Sequence, residues 1–352
     1  MNSFRRLQTL TNRQTQSGLS LVELMISITI GLLILSALTT LFVNQSKTRS
    51  ELDKSNRMID NGRYALELLT ENLRMAGFYG NYLPSGAPTI TPDSCSLATI
   101  TGSATNLDVL RHHVQGYNAA AQTSQIASAS LPTSCGFTYT AGSATSLNPG
   151  SDILVLRRVS TATPVAAANA AAAPNSAATI YFQVSNCTTD ASYQMVSGAG
   201  PFTAFHDKDC ATTASLRPFI VQIYFVSSSN NAGDGIPTLK RIDLDQATGA
   251  FVTTPLVEGI EYMQVDYGLD ADADGAADSY IANPAAANWP NIVSVKLNII
   301  ARNIETSAGH TDTKSYVLGS AGTFGPFADA YKRHAYTQVV RLINPSGRRE
   351  VP

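Results

Sequence analysis

The sequence predicts an α+β protein: one long N-terminal α-helix packed on a globular domain of antiparallel β-sheet with long loops. Three observations predict it. A charge-free apolar run fills residues 24–43. A stripe of apolar and small residues then keeps helical spacing as far as Ala76. Beyond residue 83 the pattern changes to short β-branched and aromatic runs separated by Gly, Pro, Asn and Ser.

Residues 1–18 are polar and carry Arg5, Arg6 and Arg13 with no acid. LSLVE, residues 19–23, leads into the run from Leu24 to Val43. At about 1.5 Å per residue that run spans roughly 30 Å, the thickness of a bilayer core. The basic side comes first, so the arginines stay cytoplasmic and everything after Lys47 lies outside. No small-residue cleavage site of the ordinary secretory kind follows Val43. Ser46 to Ala76 contains no proline, and its only glycine is Gly62. Ile59, Gly62, Leu66, Leu69, Leu73 and Ala76 recur three and four apart, which is one face of a helix. A single helix from about Leu19 to about Ala76 is expected, nearly 90 Å long at about 1.5 Å per residue.

Glu23 stands at the mouth of the apolar run. A carboxylate near lipid is costly and has either a partner or contact with headgroups. Taken with Gly18, it makes a compound pattern: a glycine, an apolar residue, an acid at the fifth position after the glycine, then a helix without charge.

Composition narrows the class. Of 352 residues, 14% are charged against a usual figure of about 25%. Twenty-four basic and 26 acidic side chains leave a net charge of −2, which argues against nucleic acid as the main partner. Abundant Ala, Ser, Thr, Gly and Asn suit a secreted or surface protein. Cys95, Cys135, Cys187 and Cys210 have no CxxC spacing. Their even number fits two disulfides in an oxidising compartment, with four buried thiols as the alternative. Three pairings are possible; closeness in sequence favours Cys95 with Cys135 and Cys187 with Cys210.

Strands are expected at Leu107–Val114, Asp152–Val159, Thr179–Val184, Phe219–Val226, Leu239–Leu244, Met263–Tyr267, Ile292–Ile300 and Tyr336–Ile343. Val293, Val295, Leu297 and Ile299 alternate with Ser294, Lys296 and Asn298, the period of a half-buried strand. Residues 238–260 read as a hairpin turning near Thr248-Gly249. Residues 83–106 and 115–150 read as long loops, and the alanine-rich stretch Ala166–Ala178 as a surface loop with a short helix as the alternative.

The sharpest chemical motif is DADADGAAD, residues 270–278. Asp270, Asp272, Asp274 and Asp278 occupy positions 1, 3, 5 and 9 of a calcium loop, Gly275 position 6, and the carbonyl of Ala276 position 7. Ile281 stands where the bidentate glutamate would be, so the loop is incomplete. Calcium and a solvated acidic turn between two strands are the competing readings. NAGDGI, residues 231–236, reads as a turn. The five histidines are scattered, and His112 and His113 would face opposite sides of a strand. Trp289 reads as a core residue. No catalytic motif is present, and no enzyme is expected.

SGLSLVELMISITIGLLIL resembles the class III signal of type IV prepilins and pseudopilins. Residues 61–82, 257–280 and 339–345 are similar to PilW-type minor pilins. The resemblance implies a pilin-like fold. It implies that a prepilin peptidase cuts after Gly18 and methylates the new amine of Leu19, where the family most often has Phe. It also implies that the amine of a neighbouring subunit pairs with Glu23 inside the filament. The corresponding organisation is a leader (1–18), a membrane and filament-core helix (19–46) and a pilin-like globular domain with the second half of the helix (47–352). The implied partners are other minor pilins, the major pilin, the inner-membrane assembly platform and inner-membrane lipid. The implied role is in a minor-pilin complex that primes assembly, with the tip as candidate position. The implied location is the inner membrane, N-terminus cytoplasmic and domain periplasmic, then the cell surface. No cofactor is required, and calcium is the candidate. The rivals are a J-type minor pseudopilin of type II secretion and a membrane-anchored calcium-binding periplasmic protein.

Overall fold

The computed structural model describes residues 18, 20–140, 142–170, 178–198 and 200–350. The leader up to residue 17, Leu19 and residues 171–177 of the alanine-rich stretch lie outside the described residues. The chain divides into two compact units, residues 1–53 and 54–352.

Helix α1 (Leu21–Met75) begins in the first unit and ends in the second. In the first unit every large apolar side chain from Leu21 to Val43 is exposed, Leu21 to 74% and Val43 to 42%. Ser27, Thr29, Thr39 and Thr40 donate their hydroxyls to helix carbonyls three or four residues earlier. These polar groups are thus satisfied within the helix, as an apolar environment requires.

In the second unit α1 turns its small and apolar stripe inward: Met58, Gly62, Ala65, Leu66, Leu69 and Leu73 are buried. After it come α2 (Leu97–Thr101), α3 (Asn106–Arg111), β1 (Val114–Tyr117), β2 (Ile153–Val159) and α4 (Ala167–Ala170). β3 (Ile180–Val184), β4 (Tyr193–Ser197), β5 (Leu216–Ser227), β6 (Thr238–Leu244) and β7 (Phe251–Glu258) complete the first sheet, in which every pairing is antiparallel. β5 is its shared strand: Leu216–Pro218 pair with β3, and later residues with β2 and β6.

The chain then runs through β8 (Ile260–Leu269), β9 (Ser279–Ile281), β10 (Ile292–Arg302), β11 (Tyr316–Val317), β12 (Thr323–Phe324), β13 (Arg333–Arg341) and α5 (Ile343–Arg349). The second sheet has the order β13-β10-β8-β9, and β11 with β12 forms a small ribbon.

Two cores follow from the period of two. Leu154, Leu156, Tyr224 and Val226 of the first sheet join the α1 stripe and Val295, Leu297 and Ile299 of β10 in one core. Ile153, Val155, Ile223 and Phe225 point the other way, into a core closed by Ile100, Val109 and Leu110 of α2 and α3. A sheet between two cores needs apolar residues on both faces, which is why β2 and β5 read as nearly unbroken apolar runs.

The structure corrects four sequence expectations. Residues Leu107–Val114 are not a strand: they form most of α3 and then enter β1. In this helix the buried Asp108 carboxylate accepts N–H groups of Thr89 and Ile90 at 2.9 and 3.0 Å and pairs with Arg111, so tertiary contacts override the apolar run. β10 is not half-exposed, because its polar face is also covered. Ser294 and Asn298 are buried, and Asp266 accepts from Asn298 Nδ2 at 3.3 Å and from the Ser320 N–H at 3.2 Å under the 303–332 segment. The last strand stops at Arg341, and α5 starts at Ile343 with Pro345 in its first turn, where a missing N–H costs nothing. The expected loops also hold α2 and most of β1. The hairpin joins β6 to β7 where expected, with Gly249 at a φ of +72°.

The disulfides join Cys95 to Cys135 and Cys187 to Cys210, with Cα–Cα distances of 5.1 and 5.0 Å.

Candidate functional site

Two sequence motifs carry the candidate chemistry: the head of α1 and the acidic loop. Gly18 is exposed, and a Cβ added there would meet nothing within 4 Å. Packing among the described residues therefore does not demand this glycine. Glu23 is exposed, and its Oε2 accepts the Ser20 N–H at 3.0 Å. That bond is one half of a capping box, and an acid in the first turn also suits the positive end of the helix dipole. No cation pairs with Glu23 among the described residues, and the amine expected to do so is that of Leu19, outside them.

The acidic loop joins β8 to β9. Carboxylate oxygens of Asp270, Asp272 and Asp278 lie within 4.8 Å of one another. Asp274 is outside that group, and its Oδ1 accepts the Ala276 N–H at 2.7 Å. Asp278 Oδ2 accepts the Ala271 N–H at 2.7 Å. Asp270 is fully buried. Its Oδ1 accepts the Ala273 N–H at 2.7 Å, and its Oδ2 accepts the Gly275 N–H at 2.9 Å and Arg349 Nε at 2.6 Å. Burial opposes the charge, but the guanidinium and the two N–H groups hold the Asp270 carboxyl below its ordinary range.

Gly275 does two jobs in this loop. Its φ of +85° favours glycine, and a Cβ there would lie 2.6 Å from Glu350 Cγ and 2.8 Å from the Ser346 carbonyl oxygen. Ser346 Oγ in turn donates to the Gly275 carbonyl at 2.6 Å. The loop is thus the seat of α5, with Arg349 as the positive charge at its buried acid. Sequence reasoning missed Arg349 because 79 residues separate it from Asp270. The one available signal was Arg348-Arg349 in a chain poor in charge.

The remaining candidates are structural. His112 Nδ1 lies 2.7 Å from the Asp108 carbonyl, and His113 Nε2 lies 2.8 Å from the Ile292 carbonyl. Burial lowers both pKa values to about 4, so both rings are neutral at pH 7. They have separate partners and make no joint site. Asp234 accepts the N–H groups of Asn230, Asn231 and Ile236, the bonding of a turn. Trp289 is buried against Tyr267, with ring centroids 4.9 Å apart. Gly62 is fixed by Tyr336 of β13: a Cβ there would run into the ring.

Comparison with known proteins bears on both ends of the chain. The prokaryotic N-terminal methylation motif matches residues 13–39. The family described as Type IV Pilus-assembly protein W matches residues 223–344, from β5 to the start of α5. Among solved structures, the type IV-like pilin TTHA1219 from Thermus thermophilus is similar at 10% identity, over 56% of this chain and 79% of that one, with a TM-score of 0.26. No curated protein matches. The methylation motif lies over the exposed helix with its single acid, and the matched family lies over the sheet that receives the helix stripe. The two matches support a PilW-like type IV minor pilin, a membrane-anchored pilus protein that works with components of the pilus.

Proposed function

We propose that this minor pilin is a structural, non-enzymatic subunit of a complex that primes pilus assembly, with a place at or near the tip. It enters the inner membrane with residues 1–18 in the cytoplasm and the domain in the periplasm. Prepilin peptidase cuts after Gly18 and methylates the amine of Leu19. The subunit then leaves the bilayer through the assembly platform, together with other minor pilins and the major pilin.

The observation that carries this reading is the exposed apolar face of α1 from Leu21 to Val43, interrupted only by Glu23 as a charge. At about 25 cal/mol per Å², stacking such helices offers tens of kcal/mol before entropic costs. The Glu23 carboxylate, once out of water, needs a cation, and the Leu19 amine of a neighbouring subunit supplies it and sets axial register. A Gly18 that no packing requires fits recognition by a peptidase.

Calcium is an accessory in this proposal. It would take Asp272 and Asp278 and compete with Arg349 for Asp270. A thermal midpoint that rises at millimolar calcium supports it, and an unchanged midpoint removes it.

Intact mass and N-terminal sequencing of the protein recovered from sheared pili test the main reading. N-methyl-leucine from position 19 is expected. A chain that still begins at Met1, or that never leaves the inner membrane, overturns it.

A further inference from the structure

A cavity of about 400 Å³ opens between the turn after α1, α3 and α5. It shares only Arg349 with the acidic-loop site, and it does not depend on the minor-pilin reading. Leu83, Leu110, Pro290 and Pro345 give it apolar walls. Arg111, Arg348 and Arg349 line it, and no Asp or Glu does among the described residues.

Two of the three guanidiniums are already paired. Arg111 Nη1 lies 2.8 Å from Asp108 Oδ1, and Arg349 Nε lies 2.6 Å from Asp270 Oδ2. Arg348 is half-buried, and among the described residues no carboxylate pairs with it. Burial lowers its pKa, and the Tyr79 phenol is its electrostatic neighbour. Tyr79 lines the same cavity, is 1% exposed, and has a buried hydroxyl without a hydrogen-bond partner. Buried polar groups are rarely left in that state, so an orphaned hydroxyl beside an unpaired guanidinium points to an absent acceptor. His113 in the wall is neutral and already bonded to Ile292.

We infer that this cavity binds one carboxylate carried on an apolar group, the C-terminal carboxylate of another polypeptide. Arg348 takes the carboxylate charge, the Tyr79 hydroxyl donates to it, and Leu110, Pro290 and Pro345 receive the apolar part. One unpaired guanidinium matches a monoanion. A phosphate dianion would leave a charge uncompensated in a half-buried site.

Full-length protein in detergent micelles tests this by calorimetric titration with N-acetyl-leucyl-alanine, with its C-terminal amide and with inorganic phosphate. The acid is expected to bind, and the amide and phosphate to bind about tenfold more weakly or worse. Arg348→Gln should weaken the acid about tenfold, and Tyr79→Phe severalfold, each at an unchanged thermal midpoint. Arg348→Lys should recover part of the loss. Should Tyr79→Phe unfold, the arginine pair decides. The inference is overturned by equal binding of acid and amide, by tighter binding of phosphate, by wild-type affinity in Arg348→Gln, or by no binding of the acid at millimolar concentration.

Discussion

Residues 20–53 and residues 54–352 obey opposite rules of burial. In the first stretch leucines, isoleucines and a phenylalanine stand exposed, Phe42 to 72%. In the second even charged side chains are buried, among them Arg157, Asp152 and Asp270. Arg157 has its guanidinium held by the His112 carbonyl, Ser94 and Gln115 at 2.7 to 2.9 Å. The domain is self-sufficient in its cores, because its large apolar side chains are covered within the chain. The exposed helix is not, because none of the described residues of its own unit covers its apolar side chains. One chain thus holds a finished part and a part that is complete only among lipids or other helices.

That contrast can be broken from either side. Gly18→Ala should have the largest effect: it abolishes maturation, leaving the 18-residue leader of about 2 kDa on the protein by intact mass, while the domain keeps its thermal midpoint. Glu23→Ala should leave membrane insertion intact and reduce the protein in sheared pili about tenfold or more, read by immunoblot of sheared and cell fractions. Wild-type levels in the pili would contradict charge pairing.

The next two changes act on the self-sufficient part. Arg349→Gln leaves the buried Asp270 carboxylate with N–H donors alone and loosens α5. A loss of about 2–3 kcal/mol is expected in chemical denaturation, below the figure for a fully buried pair because Arg349 is 22% exposed. Gly62→Ala drives a methyl into Tyr336 and should cost about 1–3 kcal/mol, unless the ring gives way.

The smallest effect is a pH dependence. Burial raises the Asp152 pKa to about 8 against the N–H groups of Ala119 and Val265. The folded state then holds a proton that the unfolded state releases above about pH 4, so this group removes stability as pH rises from about 4 to 8. His112 and His113, lowered to about 4, act in the opposite sense below about pH 6.5, where the unfolded state takes up their protons. Of these three groups only the aspartate acts between about pH 6.5 and 8. Wild-type stability should fall across that window, and that of Asp152→Asn should stay level.

What could be read from the sequence was what repeats locally. The α1 stripe, the β10 alternation and the Thr248-Gly249 turn each carry a period or a turn residue, and each has its element in the structure. The length of α1 was readable because no proline interrupts residues 46–76. What stayed hidden were pairings across the chain. Nothing near Asp270 announces Arg349, nothing near Gly62 announces Tyr336, and nothing in Leu107–Val114 says that Asp108 will gather Thr89, Ile90 and Arg111. β10 looked half-exposed because its polar face is covered by a segment whose own partners, Asp266 and Ser320, are 54 residues apart.

Covalent stapling in this molecule is one-sided. Cys95–Cys135 and Cys187–Cys210 span 40 and 23 residues, all before β5. In the chain-entropy picture loops of this size are worth about 3–4 kcal/mol each. The β8–β9–β10–β13 platform has no cysteine and coheres without a covalent cross-link, by burial, strand pairing and ion pairs. A molecule caught before oxidation would therefore own a sound platform and a slack ornament. Oxidant supply would govern how firmly those loops are set, and leave the β10 grip on the helix stripe untouched.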